Sequence, residues 1–164
     1  MRRNRKFIAL AAIAALSLTA MAPVVSAKPA AKPNIVQTAA AGQFNTLTKL
    51  LKQAGLAGTL QGKGPFTVFA PTDAAFAKVP KATLAALAKD KAKLRAVLLY
   101  HVAKGKLTAA KVVTLRSIKT LNGQPLKVRV NHGTVTIGGA RVIKTDIGAS
   151  NGVIHVINTV LIPR

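Results

Sequence analysis

The sequence predicts an α+β fold carried by one domain. Three observations lead there. Between residues 34 and 113 apolar residues recur mostly at helical spacing, interrupted by one short strand-like run. After Leu115 the pattern switches to alternation, the period of a half-buried strand, so helices come early and strands late. The chain has 164 residues, half of them apolar and none cysteine, which is enough for one packed core without a disulfide to staple it.

Taken in order, Asn34 caps a short helix over Ile35–Ala41, and Gly42 stops it. Phe44, Leu47, Leu50, Leu51 and Ala54 form the apolar stripe of a second helix, with Lys49, Lys52 and Gln53 opposite and Gly55 just past its end. Residues 56–60 add a further turn. Gly62-Lys63-Gly64-Pro65 breaks the chain before a buried strand over 66–70. Pro71-Thr72-Asp73 turns, and Asp73 is expected to cap a short helix over 74–78. Two more helices follow over 81–88 and 91–99, and Thr108 is expected to cap another over 109–113. Phe66, Phe69 and Phe76 are core candidates spaced to pack together. Leu126, Val128 and Val130 alternate with Lys127, Arg129 and Asn131. A turn at Asn131-His132-Gly133 then leads into Val135 and Ile137, giving a hairpin with one apolar and one basic face. Gly138-Gly139 turns into a strand over 140–144. After Asn151-Gly152, the run 153–157 is apolar on both faces and reads as a central strand.

The N-terminus reads as an address. Arg2, Arg3, Arg5 and Lys6 precede an apolar stretch, Pro23 breaks it, and Val25-Ser26-Ala27 offers a small-residue cleavage site, so residues 1–27 are expected to be a secretory signal peptide. The apolar run is shorter than the ~20 residues that span a bilayer, and no transmembrane segment is expected after cleavage. Residues 28–33 form a Pro/Ala/Lys linker and residues 34–164 the folded domain. The expected location is secreted, extracellular or periplasmic.

Charge is the second clue. Twenty-five Lys and Arg face three acids, Asp73, Asp90 and Asp146, for a net charge of +22. Three acids cannot pair such a surplus. The field draws polyanions and repels further copies of the chain, which favours a monomer. Anionic cell-surface polymers, matrix components and, non-specifically, nucleic acid are the expected partners. After residue 27 lysine outnumbers arginine 16 to 5, a bias toward point charges over planar base readout. Lys127 and Arg129 share the outward face of one strand. Arg141 and Lys144 would fall on opposite faces of the next strand if it is regular. Lys89, Lys91, Lys93 and Arg95 gather round a helix start, where the dipole disfavours cations, so partner binding or solubility must explain them.

Chemistry finds little purchase. Three scattered histidines lack metal-ligand spacing, two serines after the leader lie outside any nucleophile motif, and Gly62-x-Gly64 lacks the rest of a phosphate loop. No enzyme activity, metal or cofactor is expected.

Three segments resemble a known family. Residues 67–76, reading TVFAPTDAAF, resemble the first signature of fasciclin (FAS1, beta-Ig-H3) domains. Leu99-Tyr100-His101-Val102 resembles their tyrosine–histidine motif, and residues 151–163, NGVIHVINTVLIP, resemble their second signature. The order and spacing match from Asn34 to Pro163. The resemblance implies a wedge-like β-sandwich of mostly antiparallel strands with several short helices, and work in cell–cell, cell–matrix or host contact. It marks Tyr100 and His101 as candidate partner-binding residues, since that region is implicated in adhesion in vertebrate relatives, and Asp146-Ile147 as the counterpart of an aspartate–isoleucine motif with the same role. Their apolar neighbours Leu98, Leu99 and Val102 argue instead that Tyr100 and His101 are buried and structural. Asp73, His155 and Asn158 are read as structural motif residues, with Asn158 standing where the family usually has aspartate. Two functions stay open. One is an adhesion or matrix module that meets anionic polymers. The other is a small-molecule or lipid-binding protein of the cell envelope with an apolar crevice.

Overall fold

The computed structural model describes residues 31–163. The expected signal peptide and the first half of the linker lie outside them.

Helices come first. Helix α1 (Ile35–Ala41) opens on a capping box, in which the Asn34 side chain accepts from the Gln37 N–H and the Gln37 side chain accepts from the Asn34 N–H. Helix α2 (Asn45–Gln53) buries Leu47 and Leu51 and leaves its lysines in solvent. Helices α3 (Ala57–Gln61) and α4 (Asp73–Ala77) flank strand β1 (Phe66–Pro71). Helices α5 (Lys81–Lys89) and α6 (Lys91–Tyr100) lead into β2 (Val102–Lys104), and α7 (Ala109–Val112) precedes β3 (Ser117–Lys119). Strands β4 (Pro125–Asn131), β5 (Thr134–Ile137), β6 (Ala140–Ala149) and β7 (Gly152–Ile157) complete the chain.

The seven strands form one mixed sheet in the order β2-β1-β7-β6-β5-β4-β3. Every pair is antiparallel except β1–β7, where the two signature segments run side by side from Phe66 opposite Gly152 to Pro71 opposite Ile157. An Ala103–Thr120 bridge and a 2.8 Å bond from the Leu121 N–H to the Val102 carbonyl join the two edges, so the sheet curls into a barrel-like form.

The central strands separate two cores. Because side chains alternate along β1 and β7, Val68, Ala70, Ile154 and Val156 face the helices, whereas Phe69 and Ile157 face the inside of the curl with Leu126, Ile137 and Leu161. Strand β7 is therefore buried on both faces, as expected of a run that is apolar on both sides of His155. The three phenylalanines do not pack together as expected. Phe66 and Phe76 join the helical core, while Phe69, one strand residue out of phase with Phe66, joins the other.

Turns follow the glycines. The Gly138-Gly139 pair linking β5 to β6 has φ of +59° and +96°, the left-handed backbone that a two-residue hairpin loop needs. Among the described residues no helix is long and apolar enough to cross a membrane.

Candidate basic binding face

The three carboxylates are all spent on helix N-termini. Asp73 does not cap its own helix. Thr72 does that, its hydroxyl accepting from the Ala75 N–H at 3.1 Å, and Asp73 reaches across to accept from the Thr46 N–H of α2 at 3.0 Å. The bonds from Thr46 hold the Asp73 carboxyl below the usual carboxylate range. Asp90 caps α6 by accepting from the Ala92 and Lys93 N–H groups at 3.0 and 3.1 Å, and the Lys93 bond lowers its pKa as well. Thr108 occupies the cap position of α7 without bonding through its side chain. Asp146 takes that role, its carboxylate accepting from the Ala109 N–H at 2.9 Å. Each aspartate thereby satisfies amides that a helix leaves unpaired.

The motif histidines are fasteners too. His101 is 2% exposed. Its Nδ1 meets the Val97 carbonyl at 2.7 Å and its Nε2 meets the Leu161 N–H at 2.9 Å. A carbonyl only accepts and an amide only donates, so His101 is neutral with its proton on Nδ1. Burial pushes its pKa down to about 4. His155 has the opposite tautomer. Its Nε2 donates to the Leu107 carbonyl at 2.6 Å, its Nδ1 faces the Asp146 N–H at 3.4 Å, and its ring stacks on Phe69 at 5.8 Å. Asp146 sits at an irregularity of β6 with φ of +56°, and Ile147 packs half-buried against the helical core. The Asn158 side chain accepts from the Arg141 N–H at 3.0 Å. Tyr100 is half-buried.

Asn151 stands in the turn before β7, and its side chain accepts from the Ile35 N–H and donates to the carbonyls of Leu60 and Gly62, tying that turn to α1 and the end of α3. Those partners lie 89 to 116 positions away, so no local signal in the sequence marks them.

Strand register gathers the cations. Lys127 lies opposite Ser117, two residues from Lys119, and Arg129 lies opposite Thr136, which in turn lies opposite Arg141. Directly paired residues share a face, so Lys119, Lys127, Arg129 and Arg141 project from the outer side of the curled sheet, all exposed. Arg141 and Lys144 do not oppose each other as a regular strand would require. Val142 pairs with Ile157 and Lys144 with the very next β7 residue, Val156, so a bulge returns Lys144 to the outer side. Neighbouring strands lie about 4.8 Å apart and alternate residues about 7 Å apart along a strand, so the charges recur every 7–10 Å or so. Asp146 bonds toward His155 and α7, on the inner side, and leaves the row unneutralised.

Lys89 and Lys93 belong to the α5–α6 corner instead. Contrary to the sequence expectation, Lys89 does not sit at a helix start. Lys89 lies in the last turn of α5, where the dipole favours a cation, and Lys93 pairs with Asp90 at 3.5 Å.

Beside the row, Tyr100, Pro125, Lys127, Arg129, Thr136 and the Gly138-Gly139 turn line an open groove of about 450 Å³. The enclosed void beneath α7, bounded by Val112, Ile137 and His155, measures about 10 Å³, room for one water and not for a lipid chain. Among the described residues no three His, Cys, Asp or Glu side chains come together in a metal-binding group.

The fasciclin domain family model matches residues 42–163. The protein sll1483 of Synechocystis is 43% identical over 156 residues, covering 93% of this chain and 86% of its own length. The transforming growth factor-beta-induced protein ig-h3 of Sus scrofa is 38% identical over 121 residues, which are 74% of this chain and 18% of that longer protein. The immunogenic protein MPB70 of Mycobacterium bovis is 35% identical over 126 residues, 74% of this chain and 64% of that one. Among solved structures, a FAS1 domain pair from the insect cell adhesion molecule Fasciclin I matches with a TM-score of 0.59 at 24% identity, over 74% of this chain and 46% of that one.

Proposed function

The chain belongs to the fasciclin domain family, and from that premise we propose that it is an exported, non-catalytic adhesion module that meets anionic polymers of a cell surface or matrix. The observation that carries this reading is the acid-free row of Lys119, Lys127, Arg129 and Arg141 on the outer face of the sheet. Folding does not require that row. Among the described residues no carboxylate pairs with it, and like charges on one face repel. A polymer with regularly spaced negative charges relieves the repulsion and releases its own counterions on binding. The adhesion role draws on the solved relative, described as a cell adhesion molecule. Export draws on the leader-like residues 1–27. The void beneath α7 is too small for a lipid chain, which counts against the alternative of an apolar-ligand carrier that uses it.

A salt series tests the reading. The domain should bind heparin, and the affinity should fall about 50-fold between roughly 50 and 200 mM salt if four ionic contacts form at the slope of single-stranded polyanions. Binding that is unchanged across the series would rule out the ionic mechanism. The three aspartates, each engaged with a backbone amide, should play no part, so Asp90→Ala should leave the heparin affinity within about twofold while loosening α6.

A further inference from the structure

The groove beside Tyr100 differs from the rest of the basic face because it combines charge with an aromatic ring and a hydroxyl. Its volume of about 450 Å³ falls within the range of ligand clefts, about 300–1,000 Å³. Tyr100 and Pro125 supply apolar surface, Thr136 a hydroxyl, and Lys127 and Arg129 two cations. The Gly138-Gly139 turn forms part of the wall, where no side chain blocks the approach.

We propose that this groove is a subsite for an acidic sugar unit, a uronate, within the polymer that the basic face attracts. The proposal rests on the polyanion reading of that face and adds the substrate class. A pyranose presents an apolar C–H face that packs on an aromatic ring, and polar edges that need hydrogen-bond partners. A uronate carboxylate is planar and accepts two parallel bonds from one guanidinium, which suits Arg129 better than a point charge would. Lys127, two residues along the same strand face, meets the next charge of the polymer. A nucleic-acid strand is the weaker fit. Single strands bind on a series of aromatic platforms, whereas Phe44, Phe69 and Phe76 are buried in the cores, Phe66 packs against one of them, and Tyr100 is the one aromatic side chain lining the groove.

The chain has one tyrosine and no tryptophan, so intrinsic tyrosine emission reports on the groove directly. Titration of residues 28–164 with oligogalacturonate of about ten units should change Tyr100 emission saturably. Inorganic polyphosphate of matched charge should bind the basic face and leave the emission nearly unaltered. Arg129→Lys keeps the charge, sits on an exposed position and should fold normally. It should weaken oligogalacturonate about tenfold and polyphosphate by less than about twofold. If both polymers bind while emission stays flat, or if Arg129→Lys weakens both equally, the subsite is overturned and the general polyanion reading survives. A saturable emission change with oligothymidylate and none with oligogalacturonate overturns the saccharide assignment in favour of a nucleobase. Failure of every polyanion to bind overturns both readings.

Discussion

Gly152→Ala is expected to destabilise the domain by about 3–5 kcal/mol, a large part of the ~5–15 kcal/mol that holds a domain of this size together. At this position β1 and β7 pair in parallel, with Phe66 directly opposite Gly152. A Cβ built there falls inside the Phe66 carbonyl oxygen and within 2.8 Å of the Ile35 side chain. The oxygen belongs to the backbone of a central strand, so it cannot swing away as a side chain could. Relief requires the two strands to separate where both cores meet. The same clash recurs next door, since a Cβ on Gly64 would meet the Asn151 carbonyl oxygen. Urea unfolding of wild type and Gly152→Ala would measure the loss. An unchanged midpoint would mean that the strands can part without cost, which the paired register does not allow.

His101→Ala should cost about 3 kcal/mol, lowering Tm by about 10 °C, because it opens a cavity and leaves the Leu161 N–H and Val97 carbonyl without their partner. Its pH signature is more specific. The folded pKa of about 4 lies below the ordinary value of 6.5, so between these limits the unfolded chain binds more protons than the folded one. Stability therefore rises with pH through this window and is lost as pH falls from about 6.5 to about 4, by about 3 kcal/mol in total. The lowered carboxyls of Asp73 and Asp90 act in a separate window. Their stabilisation is present above 3.8 and is lost as pH falls below it. With three acids in the chain, little else masks the histidine. His101→Gln, which can still donate and accept, should flatten the profile between pH 7 and pH 4. A wild type equally stable at both ends, or a His101→Gln profile as steep as wild type, would contradict the buried neutral assignment.

Much of the fold was legible because it rests on periodicity. The helical stripe of α2, the alternation of β4 and the doubly apolar run of β7 each follow from which faces are covered, and local spacing encodes that. What escaped reading was long-range. The cap of α2 comes from Asp73, 27 residues on, and the cap of α7 from Asp146, 37 residues on. Sequence reasoning gave Asp73 to the helix that follows it and the α7 cap to Thr108, and named no cap for α2. Phe69 was grouped with Phe66 as large apolar side chains close in the chain, although the strand period sends them to opposite faces. The bulge that brings Lys144 round beside Arg141 leaves no mark in composition.

The candidate site was partly legible. Lys127 and Arg129 were placed correctly on an outward strand face. Their alignment with Arg141 through Thr136 depends on the register of three strands, and the Tyr100 groove depends on where α6 ends against that sheet. Tyr100 and His101 are neighbours in the chain but differ in setting. The tyrosine lines a surface groove, whereas the histidine is a buried clasp between α6 and the C-terminal segment.

The most direct test compares two variants of equal charge. One converts Lys127, Arg129 and Arg141 of the sheet face to glutamine, and the other converts Lys49, Lys52 and Lys81 of α2 and α5. If the sheet face is the binding surface, the first should lose about 10- to 100-fold in heparin affinity at physiological salt, and the second less than about threefold. Equal losses from the two variants would mean that heparin responds to total charge, and would contradict the assignment of binding to this face.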